Sequence, residues 1–335
     1  MKVRRIEGPS DSLRNPWLEN PGFSVRLAGH YSKGAGLSSF PLIGETYAVL
    51  SALSWAVATV LFVASSRQLR PEAANLFKTT FSAAMLIVTL LVLRGGRTFH
   101  LTDNTEAAYL ALSGFLGISI ADTLYFLCLR SIGAWRTLVI SCLAPPITAV
   151  LAAVLLNDPM GMSGIAGMSI ALVGVILAII GGRRRSDDGL SFTRGGIAVG
   201  VTMSVLISFA IILAKVGTVR TDSMEASTLR IVVGVAGILL IEAVRGKLVP
   251  TVRSALRPPG IRRLIAASVI GTYIAYILFI AAIRHAHPGV AVALAATAPA
   301  FVIPLSMFVL KERVSPLAVA GTGTAIAGIL ILFLF

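Results

Sequence analysis

Residues 117–160 read GISIADTLYFLCLRSIGAWRTLVISCLAPPITAVLAAVLLNDPM, and residues 271–314 read GTYIAYILFIAAIRHAHPGVAVALAATAPAFVIPLSMFVLKERV. Moved forward 154 positions without a gap, the first stretch puts Gly117 on Gly271, Arg130 on Arg284 and Ala144-Pro145 on Ala298-Pro299. The match continues as residues 161–180, GMSGIAGMSIALVGVILAII, fall on residues 315–334, SPLAVAGTGTAIAGILILFL, with Gly167 on Gly321 and Gly174 on Gly328. Two apolar runs agree by chance at Leu and Ala. They do not align a loop Arg, a helix-breaking Pro and two late Gly at a single offset. The chain carries an internal duplication.

The 335 residues are 56% hydrophobic and 13% charged, far less charge than a soluble domain of this size carries. Apolar runs of about 20 residues, the length that spans about 30 Å of hydrocarbon, recur along the chain. They do not alternate, so the spanning element is helix and not barrel strand. The net charge of +14 lies in the first 44 residues and in the loops. Basic residues that flank spans meet headgroups and set topology, so no nucleic-acid partner is implied. Cys128 and Cys142 both sit in apolar runs, where they form neither a disulfide framework nor a metal spacing.

Ten apolar spans are expected near 46–66, 72–93, 106–129, 134–156, 163–182, 195–216, 223–244, 262–284, 288–310 and 315–335. The organisation is then a disordered basic tail over 1–44, a five-helix repeat over 45–182, a linker over 183–194 and a second five-helix repeat over 195–335. An odd number of spans makes the second repeat enter from the opposite side, so the expected fold is an all-α membrane protein of two inverted five-helix repeats. The orientation signals conflict. With the N-terminus inside, roughly ten Lys and Arg are cytoplasmic and roughly sixteen external, against the positive-inside rule. The cost of translocating a charged tail argues the other way. The expectation is a multi-pass inner-membrane protein with both termini cytoplasmic.

The late part of each half has a recognisable shape. LCLRSIGAWRTLVIS or AAIRHAHPGVAVALA leads into a proline-bearing span, an acidic turn comes next (NDPM or KERVSP), and a glycine-bearing span closes the half. Over about residues 46–335 this resembles the EamA domain of the drug/metabolite transporter superfamily. The resemblance implies a secondary transporter with a central cavity between the halves and peripheral fifth and tenth spans. Glu312 matches the family's acidic turn, whereas the first copy has Asp158-Pro159 there.

Intramembrane charges cost roughly 2.5–3.5 kcal/mol at a helix centre, so each one asks for a reason. Lys78 lies near the start of the second span and Asp122 near the end of the third. These ends share a membrane side, and each residue is roughly 10 Å deep, so the two can pair. A Lys78–Asp122 pair that exchanges partners with solute or a proton is one expectation, and a structural ion pair is the other. Arg230 lies at the place equivalent to Lys78, at an offset of 152, with Tyr276 where the first half has Asp122. An Arg there suits an anionic solute group, or else snorkels to headgroups. Trp55, Tyr273 and Tyr276 are mid-span aromatics suited to cavity walls. Trp135, at a span edge, reads as an interfacial anchor. Pro145 and Pro299 are helix-bend candidates. Ser315 and Pro316 read as N-cap and first residue of the last helix, with Glu312 bonding locally at the turn. His285 and His287 lack a third ligand, so no metal is expected.

No GxxxxGK[ST] motif is present, so the drive is not this chain's own ATP hydrolysis. The expected function is proton- or exchange-coupled export of small metabolites, amino acids or drug-like solutes by alternating access, with no cofactor. The alternatives are a lipid-linked sugar flippase or nucleotide-sugar carrier, and a membrane scaffold without transport. The expected partners are a small-molecule solute and the lipid bilayer. Glycine spacing leaves a homodimer open. An enzyme is not expected, because no nucleophile, base and metal ligand converge within the spans.

Overall fold

Helix results from the apolar runs themselves, because only a helix satisfies its backbone internally within a bilayer. The computed structural model describes residues 43–66, 69–94, 104–156, 161–182, 191–218, 221, 223–285 and 294–334. The N-terminal tail, most of the linker, Asp158-Pro159 and His287 lie outside them. In order come α1 (Ile43–Ser66), α2 (Pro71–Arg94), α3 (Asn104–Ile132), α4 (Ala134–Leu155), α5 (Met162–Gly181), α6 (Arg194–Gly217) and α7 (Ser223–Val244). Next are a short amphipathic α8 (Leu248–Leu256), α9 (261–285), α10 (Ala298–Leu310) and α11 (Pro316–Leu334).

Among the described residues, eight helices are long and apolar enough to cross a membrane; two apolar stretches, Ala298–Leu310 and Pro316–Leu332, are shorter. The first of these begins ten residues after the expected start of the ninth span, and part of that difference lies outside the described residues. The expected break before the eighth span contains α8, which buries Thr251 and Ala255.

Matched residues make matched contacts. A Cβ on Gly174 would lie 2.2 Å from the Ala325 nitrogen, and one on Gly328 would lie 2.2 Å from the Ala171 nitrogen. Replacing each residue of the first pair by its mate 154 positions away, Gly174 by Gly328 and Ala325 by Ala171, produces the second. Gly167 against Leu332 and Gly321 against Ala178 are mates in the same way, at 2.4 and 2.3 Å. Along α5, Gly167, Gly174 and Gly181 meet Leu332, Ala325 and Ala318 in turn, so α5 and α11 run antiparallel. Glycine lets these backbones touch, which is how helices gain packing where the lipid supplies no hydrophobic drive. Gly117 of α3 meets Ala210 of α6, and Gly271 of α9 meets Ala58 of α1.

Two features repeat that periodicity alone does not reveal. Phe115–Ala121 in α3 and Val269–Ile274 in α9 are π-helical and start 154 residues apart. A π segment inserts a residue and re-aims the side chains beyond it, and such segments gather at functional sites. Asp122 directly succeeds the first, and Tyr276 lies two residues beyond the second.

The prolines break helices where the sequence predicts a bend. α4 stops at Ser141, turns through Cys142 and Leu143, and restarts at Ala144 with Pro145 in the first turn. Pro299 holds the same place at the start of α10. A first-turn proline lacks only a donor that has no intrahelical partner there, so these residues begin a helix. Inside α10, Pro304 precedes a π segment, Ser306–Leu310.

Trp135 is not an interfacial anchor. It is fully buried, edge-on to Phe192 at 5.6 Å and 4.7 Å from the Arg136 guanidinium carbon. Gly182 leaves room for the indole, since a Cβ there would lie 2.6 Å from the ring. Ser315 does cap α11, accepting from the Ala318 N–H at 3.1 Å, and its hydroxyl also donates to the Gly181 carbonyl at 2.7 Å. Glu312 reaches farther than its own turn: Oε1 accepts the Ala134 N–H at 3.2 Å, capping α4 in the other half.

Candidate functional site

The buried side of α2 carries four polar residues, Asn75, Lys78, Thr79 and Ser82. Lys78 is the eighth residue of its helix and only 5% exposed. Its ammonium donates to Asp122 Oδ2 and lies 5.8 Å from the centre of the Phe126 ring. Phe126 is wedged edge-on against Phe62 and Tyr125. Asn75 donates to the Ile118 carbonyl at 2.8 Å and to Thr123 Oγ1 at 2.9 Å, and Thr79 donates to Asn75 Oδ1 at 3.0 Å. Asn75 therefore grips the π segment of α3 beside Asp122. The sequence reading misses Asn75, although a buried amide one turn before Lys78 is a visible signal. Tyr125 completes the surround, sharing a 2.7 Å hydrogen bond with Thr59 and packing 5.9 Å from Trp55.

Arg230 is the eighth residue of α7. Its carbonyl lies against α3, where a Cβ on Gly114 would come within 2.3 Å of it. Its Nε is buried without a hydrogen-bond partner, and among the described residues it has no ion-pair partner. It lies within electrostatic reach of Tyr276 and Asp122. The Tyr276 and Ser227 hydroxyls bond each other, and Ser227 is one turn before Arg230 on the same face of α7.

A cavity of about 290 Å³ lies between α1 and α9, bounded by Ser51, Trp55, Thr272, Tyr276 and Phe279 among others. Its walls are mostly apolar. Ser51 is engaged, donating to the Ala275 carbonyl at 2.8 Å, while Thr272 Oγ1 is buried without a partner. Trp55 and Tyr276 thus reach the cavity together. Tyr273 does not: its hydroxyl bonds Thr89 Oγ1 of α2 at 2.8 Å.

The matching seam, α6 against α3 and α4, is sealed. The Ser204 hydroxyl is shared between the Gly200 carbonyl of its own helix at 3.0 Å and the Ile140 carbonyl at 3.2 Å, and that of Ser208 between the Ser204 carbonyl at 2.8 Å and the Ala144 carbonyl at 3.0 Å, the second acceptor of each lying beside the break in α4. Met203, Ser204 and Ser208 are fully buried. Ser113 closes the seam further along, donating to the Ala210 carbonyl at 2.6 Å.

Comparison with known proteins divides the chain into the same two halves. The family model described as the EamA-like transporter family matches residues 42–180 and again 194–334. The chain is similar to the uncharacterized transporter YyaM of Bacillus subtilis (strain 168), at 24% identity over 177 residues. That match covers 53% of this chain and 57% of YyaM, so the likeness spans little more than half of that relative. A crystal structure of another protein shares the fold with a TM-score of 0.59 at 18% identity, covering 88% of this chain and 95% of its own.

Proposed function

Since the chain belongs to the EamA-like transporter family and is an integral multi-pass membrane protein, we propose that it is a secondary exporter of small organic solutes. In this reading α10 and α11 also cross the bilayer. The two halves lie inverted, over 45–182 and 195–335, with both termini in the cytoplasm of a cell with an inner membrane. The antiparallel, mutually mated contacts of α5 and α11 support the inversion.

The observation that carries the reading is the difference between the two seams: α1 against α9 holds a cavity, and α6 against α3 and α4 is sealed. Alternating access is the exchange of these two conditions. Lys78 and Asp122 are the coupling pair. While bonded, each lowers the cost of burying the other; a proton on Asp122, or an arriving solute, releases Lys78. Trp55 and Tyr276 line the solute path, and Pro145 and Pro299 mark the helix breaks about which the seams reorganise.

The test is flux. In proteoliposomes the chain moves a labelled member of a panel of amino acids and small metabolites, and an imposed proton gradient changes the rate. Asp122→Asn abolishes that gradient response. Folded protein that moves no member of the panel would discard transport. An Asp122→Asn protein with unchanged gradient response would remove the pair from coupling.

A further inference from the structure

We infer that the solute is an organic anion, whose anionic group is neutralised by Arg230. This narrows the transport reading above and rests on it. Lys78 and Asp122 cancel each other, whereas Arg230 has no ion-pair partner among the described residues. Its guanidinium therefore stands about 10 Å of helix rise inside the start of α7 with no carboxylate bonded to it among the described residues. Among the described residues, the groups in electrostatic contact with it are the Tyr276 hydroxyl and the already paired Asp122.

Tyr276 separates this position from the cavity. Tyr276 is at once a wall of the cavity and the partner of Ser227, one turn from Arg230. When the Tyr276–Ser227 bond opens, the cavity joins the guanidinium. The planar guanidinium then takes a carboxylate through two parallel N–H donors, which an ammonium does less well. Thr272 Oγ1, buried without a partner, supplies a further donor, and Trp55 and Phe279 cover the apolar body of the solute. A cation would meet Arg230 as a like charge. A neutral solute would leave it uncompensated.

Three probes of one shape and different charge test this: benzoate, benzyl alcohol and benzylamine, added to the full chain in detergent micelles. Benzoate raises the melting temperature and the other two do not. Arg230→Gln weakens the apparent benzoate affinity by about tenfold or more, the loss expected for a charge-assisted hydrogen bond, and Arg230→Lys retains part of it. Equal responses to the three probes, no response to benzoate, or a benzoate response undiminished in a folded Arg230→Gln protein would each overturn the anion site. Flux separates the two readings. Transport of neutral or cationic solutes that survives Arg230→Gln sinks this inference and leaves the transporter standing. Benzoate binding through Arg230 with no flux of any solute does the reverse.

Discussion

The seam of α1 with α9 and the seam of α6 with α3 are built from duplicated sequence, yet they differ in condition. Each carries a glycine-to-alanine contact, Gly271 on Ala58 and Gly117 on Ala210. Each has a π segment at the same register. What differs is the polar chemistry laid on that frame. The α1 side offers Trp55, Tyr276 and a partnerless Thr272 hydroxyl around a void. The α6 side buries Ser204 and Ser208, whose hydroxyls are shared between their own helix and carbonyls at the break in α4. Duplication supplies a frame that can pack in two ways, and a few substituted side chains decide which seam is open.

The largest effect comes from separating the ion pair between α2 and α3. Lys78→Met leaves the Asp122 carboxylate without its cation and costs about 3–5 kcal/mol in denaturant unfolding in micelles. The double variant with Asp122→Asn recovers much of that loss. If the two single losses simply add, the pair is not coupled.

A packing test on the shared frame comes next. Gly271→Ala puts a methyl 2.2 Å from Ala58 Cβ, and Gly117→Ala puts one 2.8 Å from Ala210 Cβ. Overpacking of this kind costs about 1–3 kcal/mol. The Gly271 variant should lose more melting temperature than the Gly117 variant; the opposite order would show that the cavity seam yields more readily.

Ser208→Ala removes one seal and costs about 1 kcal/mol. That shifts the balance between the seams roughly fivefold, read as faster thiol labelling of a reporter cysteine introduced by Ser204→Cys. Labelling that stays slow would mean that packing, not the serine, closes this side.

The smallest effect is at Tyr273, whose bond to Thr89 lies outside the cavity. Tyr273→Phe costs about 0.5–1 kcal/mol of stability and leaves solute affinity unchanged, whereas Tyr276→Phe alters it.

Part of the site is legible in the chain. Lys78 and Asp122 announce themselves because charge in an apolar run is costly, and helix rise alone puts them level. Arg230 is legible by its offset from Lys78. Three aromatics look equivalent and are not, because which of Trp55, Tyr273 and Tyr276 meets the cavity depends on the π segment that re-aims α9. Asn75 is visible as an amide in an apolar run one turn before Lys78, but its role, holding the Ile118 carbonyl of another helix, has no sequence pattern. Trp135 misleads for a related reason: a Trp at a span edge looks interfacial until Phe192, from beyond the fifth span, folds over it.

By itself the sequence determined what depends on local composition and on repetition. Apolar length demands membrane helices, because a backbone in lipid must satisfy itself. A common offset demands two like halves, and the family model matches each of them. Only the tertiary structure decided where the duplication stops being symmetric: that α4 breaks at Pro145, that Glu312 caps a helix of the other half, and that one seam holds a cavity while its mate is closed. Those outcomes depend on contacts between residues far apart in the chain, whose energies differ by a hydroxyl or a methyl group, and no local pattern carries that information.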